Sequence, residues 1–231
     1  CHPQRQAPQA GMTRKAPRRT AERILEVALE QFNRFGEPQV STTMLAAALG
    51  ISAGNLYYHF PAKDGLVNAL FDRYAQDLRQ MLPAAADVRD AEDAWFFLHS
   101  LFERLWDYRF LYRDIGELLS RNRKLETQFR QLLDDKSRAL GELLAGLEEG
   151  GAARIDPMLL QATATSMVVV LTWWLCYEFV QDPRHALEDA GAAAALARGA
   201  GHVLHLLVPY LEPGQQRHLL GLAQGYQARA A

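Results

Sequence analysis

The sequence predicts an all-α protein with a small amino-terminal domain and a larger carboxy-terminal one. In segment after segment, apolar residues recur three and four positions apart, the spacing that places them on one face of a helix. No run of alternating apolar and polar residues indicates a strand, and no internal repeat of about 20–50 residues is present. The chain has 231 residues, of which 49% are hydrophobic and 23% charged, so it can bury a sizeable core.

The amino-terminal end predicts a tail followed by a helix. Residues 1–19 are rich in Pro, Gln, Ala and Arg without apolar periodicity, and we interpret them as a mobile tail. Thr20 can cap a helix that Gly36 ends. The predicted inward face of this helix consists of Ile24, Leu25, Ala28, Leu29, Phe32 and Phe35.

Two short helical patterns separated by a tight turn follow within residues 41–60. Ser41 or Thr42 can cap the first, and Gly50 can take the left-handed conformation that ends it. Ser52 can cap the second, in which Leu56 and Phe60 are four residues apart and face inward. The predicted apolar positions of the first helix are Met44, Leu45, Ala48 and Leu49, and the outer positions of the second are Asn55, Tyr57, Tyr58 and His59.

This stretch resembles the signature of the TetR family of bacterial transcriptional regulators. The matching residues are Thr42-Thr43, Leu45-Ala46, Gly50-Ile51-Ser52, Gly54-Asn55-Leu56-Tyr57-Tyr58-His59-Phe60 and Lys63. Asn55 stands where Thr is usual, which we expect to alter the base that is read. Leu45 replaces the usual Ile, a core exchange of similar volume that should be silent. The resemblance implies a helix-turn-helix whose second helix enters the major groove of DNA, braced by the helix that starts near Thr20.

We expect the site residues to divide into two groups. Phosphate contacts are assigned to Thr42 or Thr43 at a helix start, to Tyr57 and His59, and to Lys63 at the next helix start, where backbone N–H groups also favour an anion. Tyr58 is also expected among the DNA-binding residues. For base contacts, Asn55 can pair with adenine, the Ala53 methyl can meet a thymine methyl, and Ser52 and Gly54 are small enough to allow close approach. The alternative is that Thr42 and Ser52 are only caps and that Tyr57 and Tyr58 pack on the first helix.

The distribution of charge favours the nucleic-acid interpretation. The net charge is −2, but residues 1–82 hold ten Lys and Arg against seven Asp and Glu, whereas the remaining residues hold fifteen against twenty. A basic amino-terminal part attracts phosphates, and the acidic remainder need not touch DNA. The tail cluster Arg14, Lys15, Arg18 and Arg19 is either a basic arm along the duplex or a solvated segment.

After Pro61 the pattern predicts a connecting helix from Lys63 to about Met81, and the break at Pro83 places the domain boundary near residue 82. The predicted units are therefore a tail at 1–19, a DNA-binding domain at 20–82 and a helical domain at 83–231 for effector binding and dimerisation. Helical patterns in the second domain cover residues 91–107, 110–120, 122–148, 157–180 and 184–211. Pro157 fits the first turn of its helix, while Pro209 and Pro213 are expected to kink and stop the last one.

The segment Met158–Val180 has the length of a membrane span and one charged residue, Glu178. Polar residues dilute it and no basic flank sets an orientation, so we favour a buried helix or a subunit interface over a membrane span. The resemblance implies that the last two long helices, about 157–180 and 184–211, pair with their copies in a homodimer.

Aromatic residues crowd the second domain and can line a site for an apolar ligand. The candidates are Trp95, Phe102, Trp106, Phe110, Trp173, Trp174 and Tyr177, with Arg113 to orient a polar end of the ligand. Ordinary core and dimer seam explain any one of these aromatics equally well.

Other chemistry finds little support in the sequence. Motifs for a nucleophile elbow, a phosphate loop, a dinucleotide fold and a zinc protease are absent, so we expect no catalytic site and no cofactor. His202 and His205 lack a nearby Cys or carboxylate pair and are interpreted as seam residues rather than metal ligands. The two cysteines, Cys1 and Cys176, fit a reducing cytoplasm.

The sequence therefore predicts a homodimeric regulator of the TetR type, cytoplasmic, that binds a near-palindromic operator on double-stranded DNA. The resemblance implies a repressor that a small apolar or amphipathic effector releases. The alternative from another class is an all-helical cytosolic enzyme or carrier of an apolar small molecule, with the amino-terminal domain as a docking module.

Overall fold

The computed structural model describes residues 15–230, with side chains from Arg19 to Ala223. Eleven α-helices and four short 3-10 helices form this part of the chain, and its extended backbone pairs at one isolated bridge, Ala153–Leu211. The predicted all-α fold is confirmed.

Four helices make up the amino-terminal part: α1 (Lys15–Phe35), α2 (Thr42–Leu49), α3 (Ala53–His59) and α4 (Lys63–Met81). Helix α1 packs against α2 and α4. Their shared core includes Ile24, Phe32, Leu45, Leu56 and Val67, each at most 1% exposed. Helix α1 therefore packs behind the two short helices, as predicted.

Three predictions about α1 are wrong. The helix begins at Lys15, so Thr20 lies inside it instead of capping it, and Lys15–Arg19 are helical although we expected a tail. Phe35 is 40% exposed because it is the last residue of the helix, and the Arg34 guanidinium lies over its ring at 5.0 Å. Residues 1–14, which include Arg14, are outside the described part of the chain.

Seven helices make up the remainder: α5 (Ala91–Asp107), α6 (Phe110–Arg113), α7 (Ile115–Arg121), α8 (Arg123–Glu149), α9 (Pro157–Gln181), α10 (Ala192–His205) and α11 (Pro213–Ala230). Helix α10 lies between α5, α9 and α11. Gly199 makes this close approach possible, because a Cβ at that position would lie 2.6 Å from both Phe102 Cε1 and Trp174 Cδ1.

The last predicted helix, 184–211, is the largest error in the fold. The chain from Asp182 forms turns and a 3-10 helix at Asp189–Gly191 before α10, and a second 3-10 helix at Val208–Tyr210 follows it. The buried Arg109 holds the first turn, since Nε donates to Leu187 O at 3.0 Å and Nη2 pairs with Asp189 Oδ1 at 2.8 Å. Pro213 starts α11 instead of ending a helix, because a first-turn residue needs no N–H partner.

Two segments are long and apolar enough to cross a membrane, Pro157–Gln181 and Asp189–Tyr210. In this structure 44% and 50% of their most apolar windows are packed inside the helical domain. The two segments therefore have the length and composition of a membrane span, while about half of each window is covered by protein, as in a core helix.

Polar contacts between residues far apart in sequence join the two parts of the molecule. Asn33 of α1 is buried; its Nδ2 donates to Asp107 O at 2.8 Å, and its Oδ1 accepts from the Phe110 N–H at 3.1 Å. Phe32 packs against Phe110 beside this pair, with ring centroids 5.3 Å apart. We call the contacts between residues 15–81 and residues 91–149 the interdomain seam.

Candidate nucleic-acid interface

The backbone of α2, the turn and α3 is fixed by contacts between near neighbours. Ser41 Oγ accepts from the Met44 N–H at 3.2 Å and Ser52 Oγ accepts from the Asn55 N–H at 3.1 Å. Gly50 has φ +65°, the left-handed conformation that costs glycine least. The turn predicted from the sequence is therefore present, with Ser41 as the cap of α2.

Helix α3 divides cleanly into a buried and an exposed side. Leu56 is 1% exposed, whereas Tyr57 is 64% and Tyr58 78% exposed. Asn55, nearer the start of the helix, is exposed as well. The Tyr58 ring makes an edge contact with His59, with centroids 5.3 Å apart. The alternative that the two tyrosines pack on α1 is wrong, because both rings point into solvent.

A groove of about 730 Å³ lies beside this exposed side. It brings together the amino-terminal ends of α2, α3 and α4. Its lining residues are Ser41, Thr42, Ala53, Gly54, Leu56, Tyr57, Phe60, Pro61, Ala62 and Lys63. Helix amino termini present N–H groups and the positive end of the helix dipole, so the groove suits an anionic chain such as a phosphate backbone. Met44 and Ala48, predicted as inward, are exposed because α2 buries only the side that carries Leu45, Ala46 and Leu49.

Lys63 is placed differently from the prediction. Its Nζ donates to Glu37 O at 3.0 Å and to Val40 O at 3.2 Å, and it is 3.1 Å from Glu37 Oε1. These three acceptors hold the ammonium inside the amino-terminal part, so its side chain is not free for a phosphate. No side chain caps the start of α4, where backbone N–H groups remain for that role.

Glu37 is a residue that the sequence reading missed. Its side chain is fully buried, and it pairs with Lys63 of α4 and with Arg121 of α7. The carboxylate therefore joins the start of the helix after α3 to the carboxy-terminal part. Only the distance in sequence hid this link, because 84 residues separate Glu37 from Arg121.

Comparison with known proteins agrees with this geometry. The model of the tetR family of bacterial regulatory proteins matches residues 24–70, and that of a bacterial transcriptional repressor, TetR, matches residues 73–219. The chain belongs to the TetR family. It is accordingly a DNA-binding transcriptional regulator.

Individual relatives and solved structures extend the likeness over most of the chain. A TetR-family regulator from Marinobacter aquaeolei VT8 is 30% identical, with a TM-score of 0.76 over 90% of this chain and 98% of that one. An HTH-type regulator in the dhlA 5′ region of Xanthobacter autotrophicus is 25% identical over 70% of this chain and 79% of its own length. A putative regulator from Saccharomonospora viridis, solved with choline, shares the fold at 18% identity, with a TM-score of 0.65 over 84% of this chain and 99% of that one.

The eight residues predicted to bind a ligand lie in three different settings. Phe102 and Trp174 meet over Gly199, Trp106 lies under the Arg109 guanidinium, and Phe110 packs on α1. Buried side chains of this set are Trp95, Phe102, Trp106, Phe110 and Trp174, while Trp173 and Tyr177 are 43% and 54% exposed on α9. They combine core, seam and surface positions.

Arg113 lines a different space, a cleft of about 740 Å³ between α1 and the turn that follows α9. The Arg113 guanidinium lies over the Phe179 ring at 4.3 Å. Charged residues of both signs line the cleft: Glu26, Glu30, Arg34, Arg109, Arg113, Arg184, Glu188 and Asp189. Four of these residues are acidic and four basic, and Arg109 is already paired with Asp189.

A buried polar chain, also missed from sequence, crosses the seam. The hydroxyls of Tyr74 on α4 and Tyr112 on α6 are hydrogen-bonded, and Lys136 Nζ of α8 donates to Tyr112 Oη at 2.8 Å. All three side chains are fully buried. Burial lowers the pKa of Lys136 to about 7 and raises the pKa of both tyrosines.

The two histidines of α10 lie side by side, with ring centroids 6.5 Å apart. His202 also stacks on Trp174 at 4.7 Å. Among residues whose side chains are described, no group of three His, Cys, Asp or Glu could hold a metal ion, and Cys176 is free.

Proposed function

We propose that this TetR-family protein is a cytoplasmic repressor that binds a near-palindromic operator as a homodimer and is released by a small apolar or amphipathic effector. The observation that carries the proposal is the exposed side of α3 beside a groove formed by three helix starts. Such a surface offers side chains for base edges and N–H groups for phosphates at one place. Family members are generally not enzymes, which weighs against the enzyme or carrier alternative.

Within that surface we assign base reading to the start of α3. Asn55 is exposed and its amide can pair bidentately with adenine, while the exposed Ala53 and Gly54 permit close approach. Thr42 and Tyr57 line the groove and are assigned to phosphates. Thr43, Tyr58 and His59, on the same two helices, are assigned to phosphates with them. The Ser52 hydroxyl accepts the Asn55 N–H and thereby fixes the reading residue.

For the dimer we propose that the outer side of α9 meets its copy. Apolar side chains that would otherwise face water recur along this helix at intervals that keep them on one side: Met158, Val169, Trp173, Tyr177 and Val180, each at least 43% exposed. Exposed apolar stripes of this length mark interfaces, and a two-fold axis lets one stripe cover itself. His202 of α10 continues the surface beside Trp174.

The dimer proposal is tested by Trp173→Glu, measured by native mass spectrometry. We expect the variant to be monomeric, because two buried carboxylates would face each other across the axis. Tyr58→Glu, an equally drastic change on α3, should leave the dimer intact. A dimeric Trp173→Glu protein would rule out this side of α9.

DNA binding is tested by titrating salt against a complex with the DNA upstream of the protein's own gene. Affinity should fall by about 10³-fold or more between roughly 50 and 200 mM salt, since phosphate contacts release counterions. A shallow salt dependence would contradict the assigned phosphate contacts.

Base reading is tested with Asn55→Ala and Tyr57→Phe on a set of operators that differ at single positions. Loss of the Asn55 amide should remove the preference at one base pair, worth about 1–3 kcal/mol, whereas loss of the Tyr57 hydroxyl should weaken all sequences alike. If Asn55→Ala lowers every affinity by the same factor, Asn55 does not read a base.

A further inference from the structure

Lys136 is an unusual side chain for the interior of a helical domain. It is 0% exposed, and its one described hydrogen bond is to the Tyr112 hydroxyl at 2.8 Å. Its Nζ also lies 5.0 Å from the centre of the Tyr112 ring. Among the side chains described between Arg19 and Ala223, no carboxylate lies within ion-pair distance of it.

An ammonium without an anion is costly in such a place. Its hydrogen-bond partner, Tyr112 of α6, is neutral, and so is Tyr74 of α4, which bonds Tyr112, since burial raises the pKa of both hydroxyls. With burial alone acting on it, the pKa of Lys136 falls to about 7, so a large fraction of the amine is unprotonated at neutral pH. The site therefore holds a base and hydroxyl groups but no acid.

We propose that the Lys136 amine and the Tyr112 hydroxyl anchor the acidic group of the effector, and that the effector is an apolar weak organic acid such as a medium-chain carboxylic acid. This rests on the proposed ligand response and names its ligand class. The undissociated acid enters the apolar interior and gives its proton to the amine. A carboxylate and an ammonium result, each the partner that the other needs in a buried site.

The surroundings suit the rest of such a molecule. Aromatic rings of three helices pack around the chain of hydroxyls: Tyr74 lies 5.0 Å from Tyr108, and Phe129 is 5.9 Å from Phe71 and 6.1 Å from Tyr112. In the proposed complex these rings shift to admit the alkyl or aryl body of the acid and provide its apolar contacts.

The same geometry couples the ligand to α4. Tyr112 Oη now occupies the position beside the amine and also bonds Tyr74 of α4. An acid that takes this position must move Tyr112 and break the α4–α6 hydrogen bond. The ligand thus prefers a conformation other than the one described, which is what a shift in DNA affinity requires.

The test uses the full chain without DNA, titrated with octanoate, decanoate and 4-butylbenzoate by calorimetry at pH 8.5. Decanol and decyltrimethylammonium serve as neutral and cationic probes. At least one acid should bind more tightly than decanol and take up about one proton per molecule bound. Lys136→Met should weaken acid binding by about 100-fold and abolish the proton uptake. Lys124→Met, an exposed lysine of the same helix, should change neither.

Three results would overturn the site: no acid binds, decanol binds as well as the acids, or Lys136→Met binds acids like the parent protein. Because DNA is absent, these results are independent of the repressor proposal. Adding the bound acid to the operator complex then tests release. Acid binding through Lys136 without loss of DNA affinity would uphold the site and refute effector release by it.

Discussion

The α2–α3 region and the interdomain seam are held together in opposite ways. In the first, Ser41 and Ser52 each bond an N–H three residues ahead, and Gly50 supplies the turn. In the seam, Glu37 and Arg121 are 84 residues apart, and Asn33 reaches over more than 70 residues to Asp107 and Phe110. The difference teaches that the proposed DNA-binding surface is specified locally, whereas its position relative to the second domain depends on a few buried long-range contacts.

The largest test of this contrast is Glu37→Leu. Removing the buried carboxylate leaves Lys63 and Arg121 without their anion, and we expect a loss of about 3 kcal/mol in the free energy of unfolding in urea. The matched control is Glu117→Leu, which removes an exposed partner of the same arginine and should cost less than about 0.5 kcal/mol. Equal losses for the two variants would show that the seam contact is ordinary surface pairing.

Gly199→Ala tests how closely the second domain packs. The new methyl would lie 2.6 Å from Phe102 Cε1 and Trp174 Cδ1, so about 2 kcal/mol of stability should be lost. Gly201→Ala on the same helix meets nothing within 4 Å and should instead add about 0.5–1 kcal/mol. Urea midpoints of both variants check the pair, and a tolerated Gly199→Ala would mean that α10 moves away from α5 at little cost.

Lys136→Met tests the buried hydrogen-bonded chain of Tyr74, Tyr112 and Lys136 through the pH dependence of the free energy of unfolding. The pKa of Lys136 is about 7 when folded and near its ordinary value when unfolded, so between these values the unfolded chain binds more protons. Stability should therefore rise from pH 7 toward pH 10, by up to about 1.4 kcal/mol per pH unit, and fall again above pH 10, where unfolded tyrosines ionise and the buried ones do not.

Lys136→Met should lack the rising part of this curve and be the more stable protein at pH 7, because it removes the cost of burying or deprotonating an amine that is protonated in the unfolded chain. Urea unfolding of both proteins at pH 7 and pH 9.5 measures the difference. Parallel pH profiles would mean that the amine is compensated in the folded protein.

Ser52→Ala has the smallest expected effect, about 1 kcal/mol, since it removes one helix cap within the local region. Ser120→Ala, which removes an exposed hydroxyl bonded to its own helix, is the control and should be nearly neutral. A loss for Ser52→Ala as large as that for Glu37→Leu would remove the contrast between the two regions.

The same contrast decides what could be predicted from sequence. The caps Ser41 and Ser52, the left-handed Gly50 and the spacing of Leu56 depend on near neighbours in sequence, and the structure confirms them. The burial of Glu37 and Lys136 could not be predicted from the sequence. Charged residues in helices are mostly exposed to solvent, and only the folded structure shows which residues cover these two. The phosphate contact predicted for Lys63 has a similar origin. Its hydrogen-bond acceptors on Glu37 and Val40 are more than 20 residues away in sequence, so the sequence around Lys63 does not reveal them.

Errors in the elements have a related cause. Leu187 and its neighbours recur at helical spacing, but Arg109, about 80 residues earlier, holds that segment as turns. Pro213 reads equally well as the end of one helix or the start of the next, and only packing of α11 on α5 and α10 decides. The five aromatic residues predicted for a ligand that prove to be buried had a core explanation from the start.

The long-range hydrogen bonds of Asn33 also affect how the chain folds as it leaves the ribosome. Its amide and the Glu37 carboxylate emerge from the ribosome long before Asp107, Phe110 and Arg121, so the first domain waits for α6 and α7 before its last buried polar groups are satisfied. Folding of the two parts is thereby made sequential but interdependent. An amino-terminal fragment that ends before α5 would keep the turn between α2 and α3 intact, but Asn33 and Glu37 would lack these later partners.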